Sequence, residues 1–126
     1  MKLAQKINNA AKQINKVQNI YMQINVGNDP NKHGFHNNDV IHAAKTIDSL
    51  SNVYLTGIMM IPPLIDMDKN YRNIFQQTKL LQLEIYNSGI KNCVHISMGM
   101  SRDYSIAIEE GATHIRIGTA LFGDRL

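Results

Sequence analysis

Strand-like and helix-like segments alternate along the whole chain, and this alternation restricts the possible folds more than any other feature. Apolar, β-prone segments occur at residues 19–26, 53–61, 92–97 and 113–118, and amphipathic helical segments occur at 2–16, 40–50, 70–88 and 102–111. Short connections in this α-β-α-β-α-β-α-β order predict βαβ units and a parallel sheet. The strands show little polar alternation, which is typical of strands that helices cover on both faces.

The number of strands leaves two architectures open. Four strands form either a small open α/β sheet or half of a (β/α)8 barrel, and a whole barrel needs about 250 residues. This chain has 126 residues and starts on a helical segment, whereas a complete barrel normally starts on a strand. We therefore expect one domain over residues 1–126, an incomplete TIM-type barrel that holds the last four strands and their helices.

Composition argues against several classes of protein. Hydrophobic residues make up 44% of the chain and charged residues 18%, which is typical of a globular domain. No apolar run is long enough to span a bilayer or to form a secretory signal, so we expect no membrane partner. The single cysteine, Cys93, fits a reducing cytoplasm. Four lysines in the first sixteen residues have helical spacing without interleaved aromatics, which favours a solvated helix face over nucleic-acid binding.

The candidate site lies in the loops that follow the last two predicted strands, "SMGMSRD" and "RIGTALFG". In parallel α/β folds, functional loops follow the carboxyl ends of the strands. Ser101 is placed to cap the next helix, with Asp103 in its first turn, and Gly118 and Thr119 repeat the small, hydroxyl-bearing pattern. Two such turns on adjacent strands suit a phosphate, although Ser and Gly also form ordinary turns.

Arg116 lies between two isoleucines in the last predicted strand. A buried guanidinium needs an acceptor, since an unpaired buried charge is costly. One possibility is an ion pair with Glu109, Glu110 or Asp124. The other is a ligand at the end of the strand, either a phosphate or a ring nitrogen, which a permanent cation would keep unprotonated.

The stretch "SMGMSRDYSIAIEEGATHIRIGTALFG" resembles the C-terminal signature of the pyridoxal phosphate homeostasis proteins, whose fold is that of the alanine racemase N-terminal barrel. Upstream, "QINVGNDPNKHGF", "LTGIMMIPPLIDMDKNYRNIFQ" and "KLAQKINNAA" resemble the same family, so the resemblance covers essentially all 126 residues. It implies pyridoxal 5′-phosphate (PLP) as cofactor and a role in PLP supply and amino-acid balance, with no catalytic residue. It also implies that Arg116 faces the pyridine nitrogen and that Ser97, Ser101, Gly118 and Thr119 surround the phosphate.

One element of the family is upstream of the matched region. The lysine that forms a Schiff base with PLP lies on the family's first strand, and Lys32 matches a different, loop lysine. We therefore expect a truncated PLP carrier, with a complementary N-terminal half or a second copy as partner. The alternatives are a racemase-like enzyme that uses Lys32, a general phosphometabolite-binding module, and a fragment without function.

Two further sets of side chains carry weaker signals. His33 and His36 have a spacing that suits a metal, but no third ligand accompanies them, so no metal site is expected. Asp66 and Asp68 could form an acid pair, although a loop rich in Asp and Asn is usually solvated.

Overall fold

The computed structural model describes residues 1–63 and 68–124, and its elements follow the predicted α/β order. The predicted Asp66 lies outside the described residues, and the side chain of Asp68 is likewise not described. The helices are α1 (Lys2–Gln13), a short 3-10 turn (Asn37–Asp39), α2 (Val40–Asp48), α3 (Asp68–Asn87), α4 (Tyr104–Glu109) and α5 (Thr119–Phe122). The strands are β1 (Gln18–Asn25), β2 (Phe35–His36), β3 (Val53–Met59) and β4 (His95–Ser97).

The four strands form one parallel sheet in the order β2-β1-β3-β4. This arrangement confirms the predicted α/β class with a parallel sheet. Tyr21, Gly57 and His95 share one row across β1, β3 and β4. The parallel direction brings the carboxyl ends of these strands, and the loops that follow them, to one edge of the sheet.

The prediction of a regular strand over 113–118 is wrong. Within that segment only His114 forms a bridge, to Ser97, although Arg116 N–H also donates to the Gly99 carbonyl at 2.9 Å. Among the described residues, β4 is the one strand that the segment pairs with, and Ile115 is exposed, so no ladder forms there on the other side of the segment. The fourth strand is instead β2, a two-residue strand that pairs with β1 at Ile24 and Asn25.

One face of the sheet is covered and the other is partly open, so the prediction of two covered faces is wrong. Leu55, Ile58 and Ile96 are fully buried on the covered face, in a core shared with side chains of α2 and α3. On the other face the rings of Tyr21 and His95 stack across Gly57 with centroids 6.2 Å apart. A Cβ on Gly57 would lie 2.5 Å from the His95 carbonyl oxygen, so only glycine allows this approach.

The first helix is amphipathic, as its sequence predicts. Ala4 and Ala11 are buried against the sheet, whereas Lys2, Lys6 and Lys12 are exposed. The lysines therefore form a solvated face. Over the described residues, no helix combines the length and the apolar character that crossing a membrane requires.

Candidate functional site

Arg116 joins three of the loops at the carboxyl edge of the sheet. Its Nη1 donates to the Ser97 hydroxyl at 2.7 Å and to the Ser97 carbonyl at 3.1 Å, and its Nη2 donates to the Met60 carbonyl at 2.9 Å. The Ser97 carbonyl also accepts from the Met60 N–H at 3.0 Å. The guanidinium is thus fixed between the end of β4 and the residue that follows β3.

The guanidinium of Arg116 is hydrogen-bonded by neutral groups. All three acceptors are uncharged, and within 1–63 and 68–124 no carboxylate forms an ion pair with it. Glu109 and Glu110, which the sequence offered as partners, pair instead with Arg72 at 2.6 and 2.7 Å. Burial lowers the pKa of Arg116, and the negative charge of Asp103 partly opposes this effect. The result is a half-buried cation that is available to an electron-rich ligand.

Ser101 links the two loops that the sequence predicted as a phosphate site. Its Oγ accepts the N–H of Gly118 at 3.2 Å and the N–H of Ala120 at 3.0 Å, on either side of Thr119. Ser101 therefore binds the start of α5 and does not cap α4, so the predicted cap is wrong. The physical reason is that α4 begins later, at Tyr104, and that Asp103 turns back to accept the Met100 N–H at 2.7 Å.

The predicted site residues therefore fall into two adjacent groups. Ser97 lies with Arg116 and is buried, with 7% of its surface exposed. Ser101, Gly118 and Thr119 form the second group, and Gly118 and Thr119 are exposed. The loop that follows β4 connects the two groups. Gly99 lies in this loop between Ser97 and Ser101, and its carbonyl accepts the backbone N–H of Arg116.

Two contributors to the site were not predicted from the sequence. The carbonyl of Met60 acts through its backbone, so no side-chain signal marks it. Asp103 was expected only at a helix start, yet it is 3% exposed and supplies the negative charge that acts on Arg116. An aspartate four residues after the glycine that follows a strand is a signal that sequence reasoning could have used.

Lys32 lies at the same edge of the sheet as the site. It is exposed and borders a small cavity of about 120 Å³ together with Pro62, Pro63 and Arg102. The loop that carries it is held by Asn25, a buried residue whose amide donates to the carbonyls of Asp29 and Lys32 at 2.9 and 3.3 Å.

The histidines of this loop do not assemble a metal centre. His36 Nδ1 lies 3.0 Å from the side-chain oxygen of Asn28, which is an amide contact. Nowhere in the described part of the chain do three His, Cys, Asp or Glu side chains come close enough together to hold a metal.

Comparisons with known proteins agree on one family. The model of the family described as "Alanine racemase, N-terminal domain" matches residues 1–126. The pyridoxal phosphate homeostasis protein of Aquifex aeolicus is 37% identical over 123 residues, which are 98% of this chain and 54% of that protein. The chain thus spans about half the length of the curated relatives it matches.

Solved structures give the same result. PipY of Synechococcus elongatus without PLP has a TM-score of 0.89 at 31% identity, over 97% of this chain and 57% of PipY. With PLP bound, PipY gives a TM-score of 0.86 at 29% identity over the same shares of both chains.

Proposed function

Because this chain belongs to the alanine racemase N-terminal domain family, we propose that it binds pyridoxal 5′-phosphate and takes part in PLP homeostasis as a carrier rather than as an enzyme. The family resemblance predicted from the sequence is confirmed, with relatives named pyridoxal phosphate homeostasis protein at 37% and 36% identity. PipY, which binds PLP, supports the choice of cofactor. The observation that carries the proposal is the half-buried guanidinium of Arg116, whose hydrogen-bond acceptors among the described residues are all neutral.

The donors of Arg116 fit a pyridine ring. A guanidinium carries five N–H donors, and Arg116 makes three hydrogen bonds to the described residues, which leave at least two donors unused there. A pyridine nitrogen accepts one hydrogen bond when it is unprotonated. Facing a permanent cation, that nitrogen stays unprotonated, since a second positive charge would be repelled.

The Ser101 group fits the phosphate. Ser101 Oγ accepts two backbone N–H groups, and none of the hydrogen bonds in the described residues uses its proton as donor. A phosphate oxygen at this point would accept that proton and approach the Thr119 N–H, which lies between the two N–H groups that Ser101 already accepts. Charge-assisted hydrogen bonds of this kind are roughly twice as strong as neutral ones.

The same arrangement favours holding PLP over using it. When bound, PLP supplies an aldehyde and an electron-withdrawing ring, and the ring withdraws electrons best when its nitrogen is protonated. Arg116 opposes that protonation, so this chain's residues orient the cofactor and weaken its electron-accepting character.

Titration of PLP into the chain and two arginine variants tests the proposal. We expect Arg116→Ala to weaken binding by at least about tenfold, the loss of one charged hydrogen bond. Arg72→Ala is the matched control, because it removes the same charge from an arginine whose partners are Glu109 and Glu110. Fluorescence quenching or calorimetry at one fixed salt concentration gives both dissociation constants. Equal effects of the two substitutions would contradict the proposal.

We also propose that the chain is half of a (β/α)8 barrel and that a complementary half or a second copy completes it. Residues 18–23 of β1 have no partner on the side where β2 pairs only at Ile24 and Asn25, within the described residues. Beside this edge lies a cavity of about 640 Å³ lined mainly by apolar side chains. Unpaired strand edges of this kind accept a further strand.

The oligomeric state tests this architecture. Light scattering of the purified chain should give a dimer or a complex with a co-expressed polypeptide that covers the unmatched half of the Aquifex aeolicus relative. A stable monomer that does not bind that polypeptide would favour the open-sheet alternative.

A racemase-like enzyme that uses Lys32 is the second candidate, and the position of Lys32 at the carboxyl edge favours it. Reduction with borohydride in the presence of PLP, followed by peptide mass analysis, tests for a covalent bond. A labelled Lys32 peptide would support the enzyme, whereas unlabelled chain would exclude a covalent role for this residue.

A further inference from the structure

The hydroxyl of Ser97 contacts Arg116, whereas Ser101 belongs to the group of residues that we propose to bind the phosphate. Its Oγ accepts Arg116 Nη1 at 2.7 Å, the shortest of the three bonds from that side chain. Ser101 instead binds the backbone at the start of α5, at 3.0 and 3.2 Å. The two serines that the family resemblance groups around the phosphate therefore have different partners.

From this difference we propose that Ser97 is a positioning residue, whose hydroxyl holds Arg116 toward the ring nitrogen and does not bind the phosphate. The inference rests on the proposed function, because it takes the ring nitrogen of PLP as the ligand toward which Arg116 is held. Two of the acceptors of Arg116 are backbone carbonyls, of Ser97 and Met60, which no substitution removes. The Ser97 hydroxyl is the one side chain that the described residues contribute to holding the guanidinium.

The geometry explains why a neutral hydroxyl occupies this place. A carboxylate here would neutralise the guanidinium and compete with the ligand for its donors, whereas a hydroxyl fixes it without adding charge. Ser97 is the last residue of β4 and is buried, so its hydroxyl is rigid. A buried N–H that loses its acceptor is costly, so the side chain of Arg116 would turn to find another acceptor.

Two ligands separate this role from phosphate binding. PLP and its analogue with CH in place of the ring nitrogen carry the same phosphate, but only PLP offers an acceptor to Arg116. We expect Ser97→Ala to weaken PLP binding by about tenfold and to leave binding of the analogue within about twofold. Ser101→Ala, the matched control, should weaken both ligands equally. Equal losses for Ser97→Ala with both ligands would overturn the inference.

A measurement without ligand keeps the inference separate from the proposed function. We expect the Arg116 guanidinium protons, observed by ¹⁵N NMR, to exchange with solvent at least about fivefold faster in Ser97→Ala than in the unsubstituted chain. Ser97→Thr, which keeps the hydroxyl, should restore slow exchange, and unchanged exchange in Ser97→Ala would refute the positioning role. If the unsubstituted chain binds neither ligand, the proposed function fails, and the exchange rates still decide whether Ser97 holds Arg116.

Discussion

Gly99 is the residue whose replacement should most directly disturb the loop between Ser97, at the end of β4, and Ser101. Its φ is +100°, and a Cβ added there would lie 2.7 Å from the Cβ of Ala107, which is fully buried in α4. Strained backbone costs about 1–3 kcal/mol, and overpacking costs about 1–3 kcal/mol more. Gly99→Ala should therefore lower the free energy of unfolding by about 2–6 kcal/mol, a large part of the roughly 5–15 kcal/mol of a typical domain.

Gly89→Ala provides a control that separates the two costs. Gly89 has φ +114°, yet an added Cβ would meet no atom within 4 Å. This substitution carries the backbone strain alone, about 1–3 kcal/mol. Urea unfolding followed by circular dichroism gives the free energies of both variants. If the two variants lose the same stability, then the contact with Ala107 is not tight and the reasoning from close approach is wrong.

Two further predictions concern ionisable groups away from the site. Both Glu109 and Glu110 pair with Arg72, but the Glu110 side chain is 17% exposed and that of Glu109 is 59% exposed. Glu110→Gln should therefore lower the melting temperature more than Glu109→Gln does. Equal shifts of the melting temperature at low salt would contradict this order. Burial, with a smaller effect from Asp48, raises the pKa of Cys93 from 9.0 to about 11. The unfolded thiol therefore loses its proton first, so the contribution of Cys93 to stability is fully present below pH 9 and falls by roughly 2–3 kcal/mol as the pH rises through 11. Urea unfolding against pH should show this slope, and Cys93→Ala should reduce it to the part that comes from other groups such as Tyr21, whose pKa burial also raises.

Strand and helix order could be predicted because it depends on local apolar patterns. The failures occur where pairing partners decide the structure. Residues 113–118 have the composition of a strand, but with β4 alone beside them they form a single bridge. Phe35 and His36 have no strand-like run around them, and they pair because the preceding turn brings them beside β1. Neither outcome is encoded within five or six neighbouring residues.

The site shows the same division between local and distant information. Ser101, Gly118 and Arg116 could be chosen because they lie at or near the carboxyl ends of two adjacent predicted strands, where the functional residues of parallel α/β folds are found. The sequence does not tell which hydroxyl meets which donor, since that depends on how two loops approach each other. Ser101 was expected at its own helix, and it binds the N–H groups of Gly118 and Ala120 from the next loop.

The distribution of carboxylates explains how Arg116 keeps its charge available. Glu109 and Glu110 lie at the end of α4 and just after it, close enough in sequence to compete for Arg116, but Arg72 on α3 binds both. Asp103 accepts the Met100 N–H, and its negative charge acts on Arg116 through space. Its charge partly opposes the effect of burial on the pKa of Arg116 and occupies none of the guanidinium's donors. A cation stabilised at a distance and hydrogen-bonded only by neutral groups costs stability when the site is empty, and a ligand that accepts its remaining donors recovers that cost on binding.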